Sequence, residues 1–184
     1  PNITSGSEQF RYNTGYTNRK GVNPDKALCD NWGGYNGCIV YRSAEAYLNY
    51  IEAYYERHNT LDAKATAYWK AIRKRAGVDE DIQKTIDATD MQKEAAANWS
   101  AYSAGKLVDK TLYNIRRERA CEFMAEGYRT DDLRRWRSLD QLMTTPYFIE
   151  GFKIWGDYYP EKYAEAAKEN KTYELIYGVD NSNA

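Results

Sequence analysis

Residues 115–142 of this 184-residue chain have the sequence IRRERACEFMAEGYRTDDLRRWRSLDQL, and this stretch decides the fold. It is rich in arginine, although the whole chain has a formal net charge of only -1. The arginines are Arg116, Arg117, Arg119, Arg129, Arg134, Arg135 and Arg137. Such a concentration of cations either forms a surface for an anionic partner or holds the fold together through carboxylates of the same chain.

The apolar spacing around this stretch predicts two helices. We expect Gly127 to end the first helix, and Thr130 or Asp131 to begin the second, with Asp132 in its first turn. The predicted apolar faces are Leu112, Ile115, Ala120 and Phe123 in the first helix and Leu133, Trp136, Leu139 and Met143 in the second. Residues 109–143 are therefore predicted to form a helical hairpin.

A column of carboxylates on the first of these helices suggests what the arginines do. Glu118, Glu122 and Glu126 lie four residues apart, and each like-charged pair on a helix costs about 0.2–0.5 kcal/mol. The column is favourable only if cations face it. We expect Arg119 to pair with Glu122 within the helix. The next helix is expected to supply the remaining cations, which are Arg129, Arg134 and Arg135. The sequence thus predicts a structural ion network between helices.

Two other functions fit the same residues less well. Binding to nucleic acid needs unpaired positive charge, but nearby carboxylates nearly cancel the arginines and the isoelectric point is about 6.0. A hydrolase would use two of the glutamates, yet neighbouring arginines should lower their pKa values, whereas a general acid needs a raised pKa. With His58 as the sole histidine, the chain has no plausible Ser–His–Asp or Cys–His arrangement.

Residues 41–77 show the same helical period and predict a hairpin of about one tetratricopeptide-repeat length. Asp62 is expected near the start of the second helix, and Gly77 is expected to cap its end. The apolar positions are Tyr41, Ala44, Leu48, Ile51, Tyr55 and His58, followed by Leu61, Ala65, Tyr68, Ile72 and Ala76. The predicted fold is mainly α, with tetratricopeptide-like helical hairpins, irregular loops and a little β structure.

The remaining segments are predicted to be irregular. Residues 1–40 are expected to be a loop region, 78–108 a polar insertion and 144–184 an aromatic-rich tail. Within the insertion, Thr89 is a candidate cap for a short helix. The acidic residues of this insertion lack EF-hand spacing, so they favour a solvated loop over a calcium site. These residues are Asp79, Asp81, Asp87 and Asp90.

The cysteines do not predict a metal site. Cys29 and Cys38 bracket the loop DNWGGYNG, and they either form a disulfide or remain free thiols, with Cys121 left over. There is no paired C-x-x-C motif and no apolar run of membrane-spanning length. We therefore expect no cofactor, no bound metal and no membrane-spanning segment in this chain.

Several motifs together resemble the SusD-like (RagB/SusD) family. The segment 115–136 resembles that family's C-terminal signature of Glu-Arg, Glu-aliphatic-x-x-Glu-Gly, Arg and Asp-Leu-x-Arg-Trp. The matching residues are Glu118–Arg119, Glu122, Glu126–Gly127, Arg129, Asp132–Leu133 and Arg135–Trp136. YRSAEAYLNYIEA at 41–53 resembles the family's Arg-x-Ala-Glu helix, and AIRKRAGV at 71–78 resembles its Arg-x-Arg-Ala-Gly helix end. TGYTNRKG at 14–21 resembles the segment that precedes them.

The resemblance implies a function. SusD-like proteins are non-catalytic outer-membrane lipoproteins of the cell surface that bind glycans or other nutrients. They deliver them to a SusC-like TonB-dependent transporter. Family chains are longer, so we expect residues 1–184 to be the C-terminal portion of such a domain, with the N-terminal lipid anchor absent from this chain. The signature residues are implied to belong to the scaffold.

The candidate ligand-binding residues are loop aromatics, because aromatic rings stack on the apolar faces of sugars. They are Trp32, Tyr35, Trp155, Tyr158 and Tyr159. The chain also contains 18 tyrosines and five tryptophans, which suits a surface that contacts polar ligands or proteins. The alternative is therefore a helical-repeat interaction module that binds proteins and no small ligand.

Overall fold

Helices dominate the part of the chain that the structure describes, which confirms the predicted mainly α fold. The computed structural model describes residues 39–144, together with Asn18, Lys20, Asn23, Asp25 and Leu28. The segment 39–144 belongs to a unit formed by residues 21–148, while a second unit comprises residues 1–20 and 149–184.

Six helices, two short strands and two 3-10 turns form the segment 39–144. The helices are α1 (Ser43–His58), α2 (Ala63–Ala76), α3 (Ile82–Ala88), α4 (Met91–Ala97), α5 (Lys110–Glu122) and α6 (Arg129–Arg135). The strands are β1 (Tyr102–Ser103) and β2 (Lys106–Leu107), and the 3-10 turns are Trp99–Ala101 and Leu139–Met143. α1 packs against α2 and α5, and α3 also packs against α5.

The α1–α2 pair has the capping residues that the sequence predicted. Asp62 is the N-cap of α2, where its Oδ1 accepts a hydrogen bond of 2.6 Å from the backbone N–H of Ala65. Gly77 ends α2 at φ +70°. The N–H groups of Gly77 and Val78 bond to the carbonyls of Lys74 and Arg73, which is the Schellman pattern. Local chemistry therefore determines both ends of α2.

The core between α1, α2 and α5 matches most of the predicted apolar faces. Its buried residues include Leu48, Ile51, Tyr55, Ala65, Ile72, Ile115 and Phe123, all predicted, and Trp69, Ile82 and Ile86, which were not. Tyr41 and His58 were wrongly placed on the buried face of α1. Tyr41 precedes the helix and is 84% exposed, and His58 is the last helical residue and is also exposed.

The aspartates of the segment after α2 are exposed, as predicted, but the segment forms the helices α3 and α4 and is not a loop. Asp81 caps α3 and Asp90 caps α4, each accepting bonds from backbone N–H groups of the first turn. Thr89 does not cap α4. Its buried hydroxyl donates to the carbonyl of Thr85, because this residue ends α3 and packs beside Asn114 of α5.

A two-residue turn joins β1 to β2 ahead of α5. The strands pair antiparallel, with Tyr102 opposite Leu107. Ala104 and Gly105 have φ values of +49° and +77°, and a type I′ hairpin turn requires positive φ at both positions. The N–H of Ala104 bonds to the carbonyl of Arg137 at 2.8 Å, which ties the turn to the end of α6.

The ends of α5 and α6 differ from the prediction. α5 stops at Glu122, and α6 begins at Arg129, after Tyr128, rather than at Thr130 or Asp131. Arg137 has φ +55°, and bonds from Arg137 and Ser138 back into α6 close a second Schellman motif. The helical period is therefore interrupted, which leaves Met143 86% exposed instead of on an apolar face.

Candidate functional site

Arginines bind all three glutamates of the predicted column, of which Glu118 and Glu122 lie in α5 and Glu126 lies beyond its end. These arginines come from α2 and from the residue before α1. Glu118 lies 3.3 Å from Nε of Arg73, and Glu126 lies 2.7 Å from a terminal nitrogen of Arg42. Glu122 pairs with Arg42 and Arg75. The predicted pairing of the column with arginines of the following helix is therefore wrong.

Arg42 is the centre of this arrangement. Its Nε donates to Oε2 of Glu126 at 2.9 Å, and Nη2 donates to the carbonyl of Glu122 at 2.6 Å. The guanidinium carbon lies 4.6 Å from the centroid of the Phe123 ring, within cation–π range. One side chain thereby fastens the start of α1 to the end of α5.

The electrostatics of Glu122 fit a structural role. Burial alone would raise its pKa, but hydrogen bonds from Arg75 and Arg42 outweigh burial, and its pKa is lowered. A general acid of a glycosidase needs the opposite shift. Glu122 therefore fits a structural ion pair better than a general acid.

Arg119 forms the most buried ion pair of α5, with Asp132 of α6. Its Nε lies 2.8 and 2.9 Å from the two carboxylate oxygens, and both side chains are 5% exposed. Nη1 also donates to Oδ1 of Asn49 in α1 at 2.8 Å. The predicted pair of Arg119 with Glu122 is wrong, because Arg119 points between α1 and α6 while Glu122 faces Arg42.

A second network connects the end of α6 to the middle of α1. Two terminal nitrogens of Arg135 grip the carboxylate of buried Glu52 at 2.7 Å each, and Nε reaches Asp132 at 2.8 Å. The indole N–H of Trp136 also donates to Glu52. The guanidinium carbons of Arg116 and Arg135 each lie 4.9 Å from the Trp136 ring centroid.

The other arginines of the signature are also held within the fold or paired at its surface. Arg116 is 2% exposed and donates to the carbonyl of Tyr102 at 3.0 Å, and loss of hydration lowers its pKa. Arg129 donates to Oδ1 of Asn98 at 3.0 Å. Arg134 lies on the surface, 3.6 Å from Asp131. Most of these guanidiniums thus serve the scaffold rather than a surface for an anion.

The observed pairing predicts how two mutations in different networks combine. Had Glu122 and Arg135 shared one network, Glu122→Gln and Arg135→Gln would lose less together than in sum. The described partners of the two residues are different, so we expect the double variant to be additive within about 0.3–0.5 kcal/mol. Urea unfolding of the four proteins measures this. Glu122→Gln with Arg42→Gln is the positive control, because that pair is in contact and should be non-additive.

Three arginines that bind the glutamates were not predicted to do so, although each lies in a recognisable sequence motif. Arg42 lies in the Arg-x-Ala-Glu motif, and Arg73 and Arg75 form the Arg-x-Arg-Ala-Gly motif. The structure brings these two motifs together around the glutamates of the third. Charged residues of all three motifs therefore form one ion network.

The predicted ligand-binding aromatics lie outside the described residues. This holds for all five of them, namely Trp32, Tyr35, Trp155, Tyr158 and Tyr159, and also for Cys29 and Cys38. Cys121 is a free, exposed thiol. The assignment of the five aromatics to a ligand site therefore stays a prediction.

A half-buried group of tyrosines covers one side of the α1–α2 pair. The rings of Tyr47 and Tyr68 stack with centroids 4.1 Å apart, and Tyr50 meets Tyr68 edge-on at 5.6 Å. Nζ of Lys64 lies 4.7 Å from the centroid of Tyr50. Because these rings contact one another and the cation, they offer ring edges to a partner more than open ring faces.

A groove of about 250 Å³ opens where α1 meets the end of α6. Its lining consists of Asn49, Glu52, Ala53, Glu56, Arg135 and Trp136. No group of three or more His, Cys, Asp or Glu side chains within the described part of the chain could hold a metal ion. Among the same residues, no helix has the length and apolar character needed to cross a membrane.

The comparison with protein families agrees with the scaffold geometry. The model of the SusD family matches residues 2–183 of this chain. The chain therefore belongs to the SusD family. Members of this family are non-catalytic proteins that bind glycans and other nutrients at the cell surface, are generally lipoproteins of the outer membrane, and work with SusC-like transporters. No curated protein and no solved structure matches the chain.

Proposed function

We propose that this chain is part of a surface lipoprotein that captures an oligosaccharide or another nutrient and delivers it unchanged to a SusC-like TonB-dependent transporter. The observation that carries the proposal is the family match over residues 2–183. The scaffold supports it, because the signature glutamates are bound by arginines and Glu122 has a lowered pKa, as in a structural network.

In this proposal the ligand is held by loop aromatics. Trp32, Tyr35, Trp155, Tyr158 and Tyr159 are the candidates, since indole and phenol rings stack on sugar C–H faces and their polar atoms reach hydroxyls. Affinity should be modest, because a shallow aromatic platform covers little of each sugar and ordering a flexible glycan opposes binding.

Calorimetry with a panel of oligosaccharides and peptides, followed by product analysis, tests this function. We expect binding without turnover, and we expect Trp32→Ala or Trp155→Ala to weaken it about tenfold, equivalent to about 1.4 kcal/mol. Tyr41→Ala is the control, because that ring is 84% exposed and outside the proposed platform.

Other outcomes discriminate between the classes of protein. Turnover of any glycan would reject the binding-protein function. Tight binding to a protein alone, with no glycan or peptide bound, would favour the helical-repeat interaction module. The half-buried tyrosines of α1 and α2 would then be the first surface to mutate.

A further inference from the structure

The groove between α1 and the end of α6 has the composition of a small ligand site. We propose that it binds one neutral, hydroxylated ring, such as a single sugar unit, as a subsite separate from the loop aromatics. This inference rests on the proposed function for its ligand class, but its location and selectivity follow from the described side chains alone.

The first element of the site is a pair of hydrogen-bond donors with fixed positions. Oδ1 of Asn49 accepts from Arg119 at 2.8 Å, so its amide nitrogen is turned away from that bond and keeps two N–H groups. Arg119 is itself fixed by Asp132. Asn49 is an exposed residue that lines the groove. Its donors are therefore held in place by a buried partner, which reduces the entropy lost on binding.

Arg135 supplies the second donor set. Its Nε and one N–H of each terminal nitrogen are used by Asp132 and Glu52, at 2.7–2.8 Å. A guanidinium has five N–H groups, so two remain after these three bonds. The side chain is 44% exposed and lines the groove. A ligand oxygen can thus bind Arg135 without breaking its bonds to Glu52.

Glu56 is a lining residue that can act as the hydrogen-bond acceptor. Its side chain is 49% exposed, and its one described ion-pair contact is a long one, 3.5 Å to Arg116. A carboxylate has about four lone-pair positions and Glu56 lines the groove, so it has accepting capacity left for a ligand there. Donors at Asn49 and Arg135 with an acceptor at Glu56 match a ligand whose hydroxyl groups both donate and accept.

The charge balance selects against ions. The lining has two carboxylates, Glu52 and Glu56, and one guanidinium, Arg135, so it carries one net negative charge. Arg116 is buried behind the lining, 3.5 Å from Glu56. An anion would meet two carboxylates, and a cation would compete with Arg135 and Arg116 for carboxylates that already have a partner. A neutral ligand avoids both conflicts and uses the same hydrogen bonds.

The size of the groove limits the ligand to about one ring. Its volume of about 250 Å³ is below the roughly 300–1,000 Å³ of pockets for drug-sized molecules. Ala53 forms an apolar wall against which sugar C–H groups can pack. The Trp136 ring is 3% exposed, so it serves as a neighbouring fluorophore more than as a stacking surface.

Titration of the whole chain with neutral monosaccharides tests the site. Glucose, galactose and mannose are the probes, with glucuronate and glucosamine as charged counterparts, and binding is followed by tryptophan fluorescence and NMR line positions. We expect dissociation constants in the millimolar range, because so small a ligand has few contacts. At least one neutral sugar should bind at least about fivefold tighter than its charged counterparts.

Two variants locate the site. Ala53→Leu fills the groove without removing a hydrogen bond, and it should weaken binding at least about tenfold. Ala67→Leu is the matched control, because Ala67 is an exposed alanine of α2, and no residue of α2 lines the groove. It should leave binding unchanged. Glu56→Gln tests the acceptor on a half-exposed side chain and should weaken binding severalfold. Circular dichroism verifies that each variant is folded. If Ala53→Leu does not fold, the affinity of Glu56→Gln tests whether the sugar binds in the groove.

The outcomes separate this inference from the proposed function. Unchanged monosaccharide affinity in Ala53→Leu and Glu56→Gln would overturn the proposal that the groove binds a sugar. Tighter binding of a charged sugar, or no binding of any monosaccharide, would also overturn it. Oligosaccharide binding that persists in Ala53→Leu and is lost in Trp32→Ala or Trp155→Ala would leave the proposed function intact.

Discussion

Replacing Trp136 by alanine is expected to lower the free energy of unfolding by about 3–5 kcal/mol. The side chain is 3% exposed, so the substitution removes a large buried ring and leaves a cavity between α1, α5 and α6. It also removes the indole N–H that donates to Glu52 and the ring over which Arg116 and Arg135 lie. Chemical denaturation monitored by circular dichroism at 222 nm measures the change.

Two further variants separate packing from hydrogen bonding at this site. Trp136→Phe retains most of the ring but not the N–H, so we expect a smaller loss of about 1–3 kcal/mol, the cost of an unmade bond to a buried acceptor. Tyr41→Ala removes an aromatic side chain that is 84% exposed and should change stability by no more than about 0.5 kcal/mol. Equal stability of Trp136→Ala and the wild type would place this ring at the surface and contradict the packing of α6 on α1.

Arg119→Met is expected to destabilise the protein by about 3–5 kcal/mol, because it leaves Asp132 as a buried carboxylate with one cation fewer. Both side chains of the pair are 5% exposed, and Arg119 also connects α5 to Asn49. Asp132 keeps its bond from Arg135 at 2.8 Å, which favours the lower end of this range. Denaturant unfolding provides the measurement.

Arg134→Met is the matched control for Arg119→Met. Both substitutions exchange an arginine of the same signature for methionine, but Arg134 and its partner Asp131 are 72% and 79% exposed. Exposed pairs contribute about 0–1 kcal/mol, since water screens the charges. Comparable losses in the two variants would mean that burial does not set the contribution of these arginines. A loss at Arg119 that vanishes in Arg119→Met with Asp132→Asn would identify the stranded carboxylate as its cause.

The sequence by itself determined the α1–α2 pair and the family. The period of Ala44, Leu48, Ile51 and Tyr55 established α1, and Asp62 and Gly77 marked the ends of α2, because capping and apolar spacing act over three or four residues. The signature around Glu118–Trp136 indicated the SusD family for the same reason: its motifs are contiguous in the chain. The burial of Trp136 also followed from its place in that pattern.

The ends of helices were harder to predict where adjacent residues could both act as a cap. The sequence placed the cap of α4 at Thr89, one residue too early, because Thr and Asp are both good N-caps. The tertiary structure decided between them, since Thr89 is buried against Asn114 and Asp90 is exposed at the helix start. Similarly, the positive φ of Arg137 ended the helical period that predicted a buried Met143.

Only the tertiary structure decided which cation faces which carboxylate. The sequence predicted that the glutamates of α5 would be neutralised, and it assigned them the nearest arginines along the chain. Arg42 instead reaches Glu122 from 80 positions away, and Arg135 reaches Glu52 from 83. An ion pair forms where packing brings two groups within about 4 Å and excludes water, and helix packing sets that distance irrespective of separation in sequence. The groove beside Glu56 exists for the same reason, because its walls come from helices at opposite ends of the described segment.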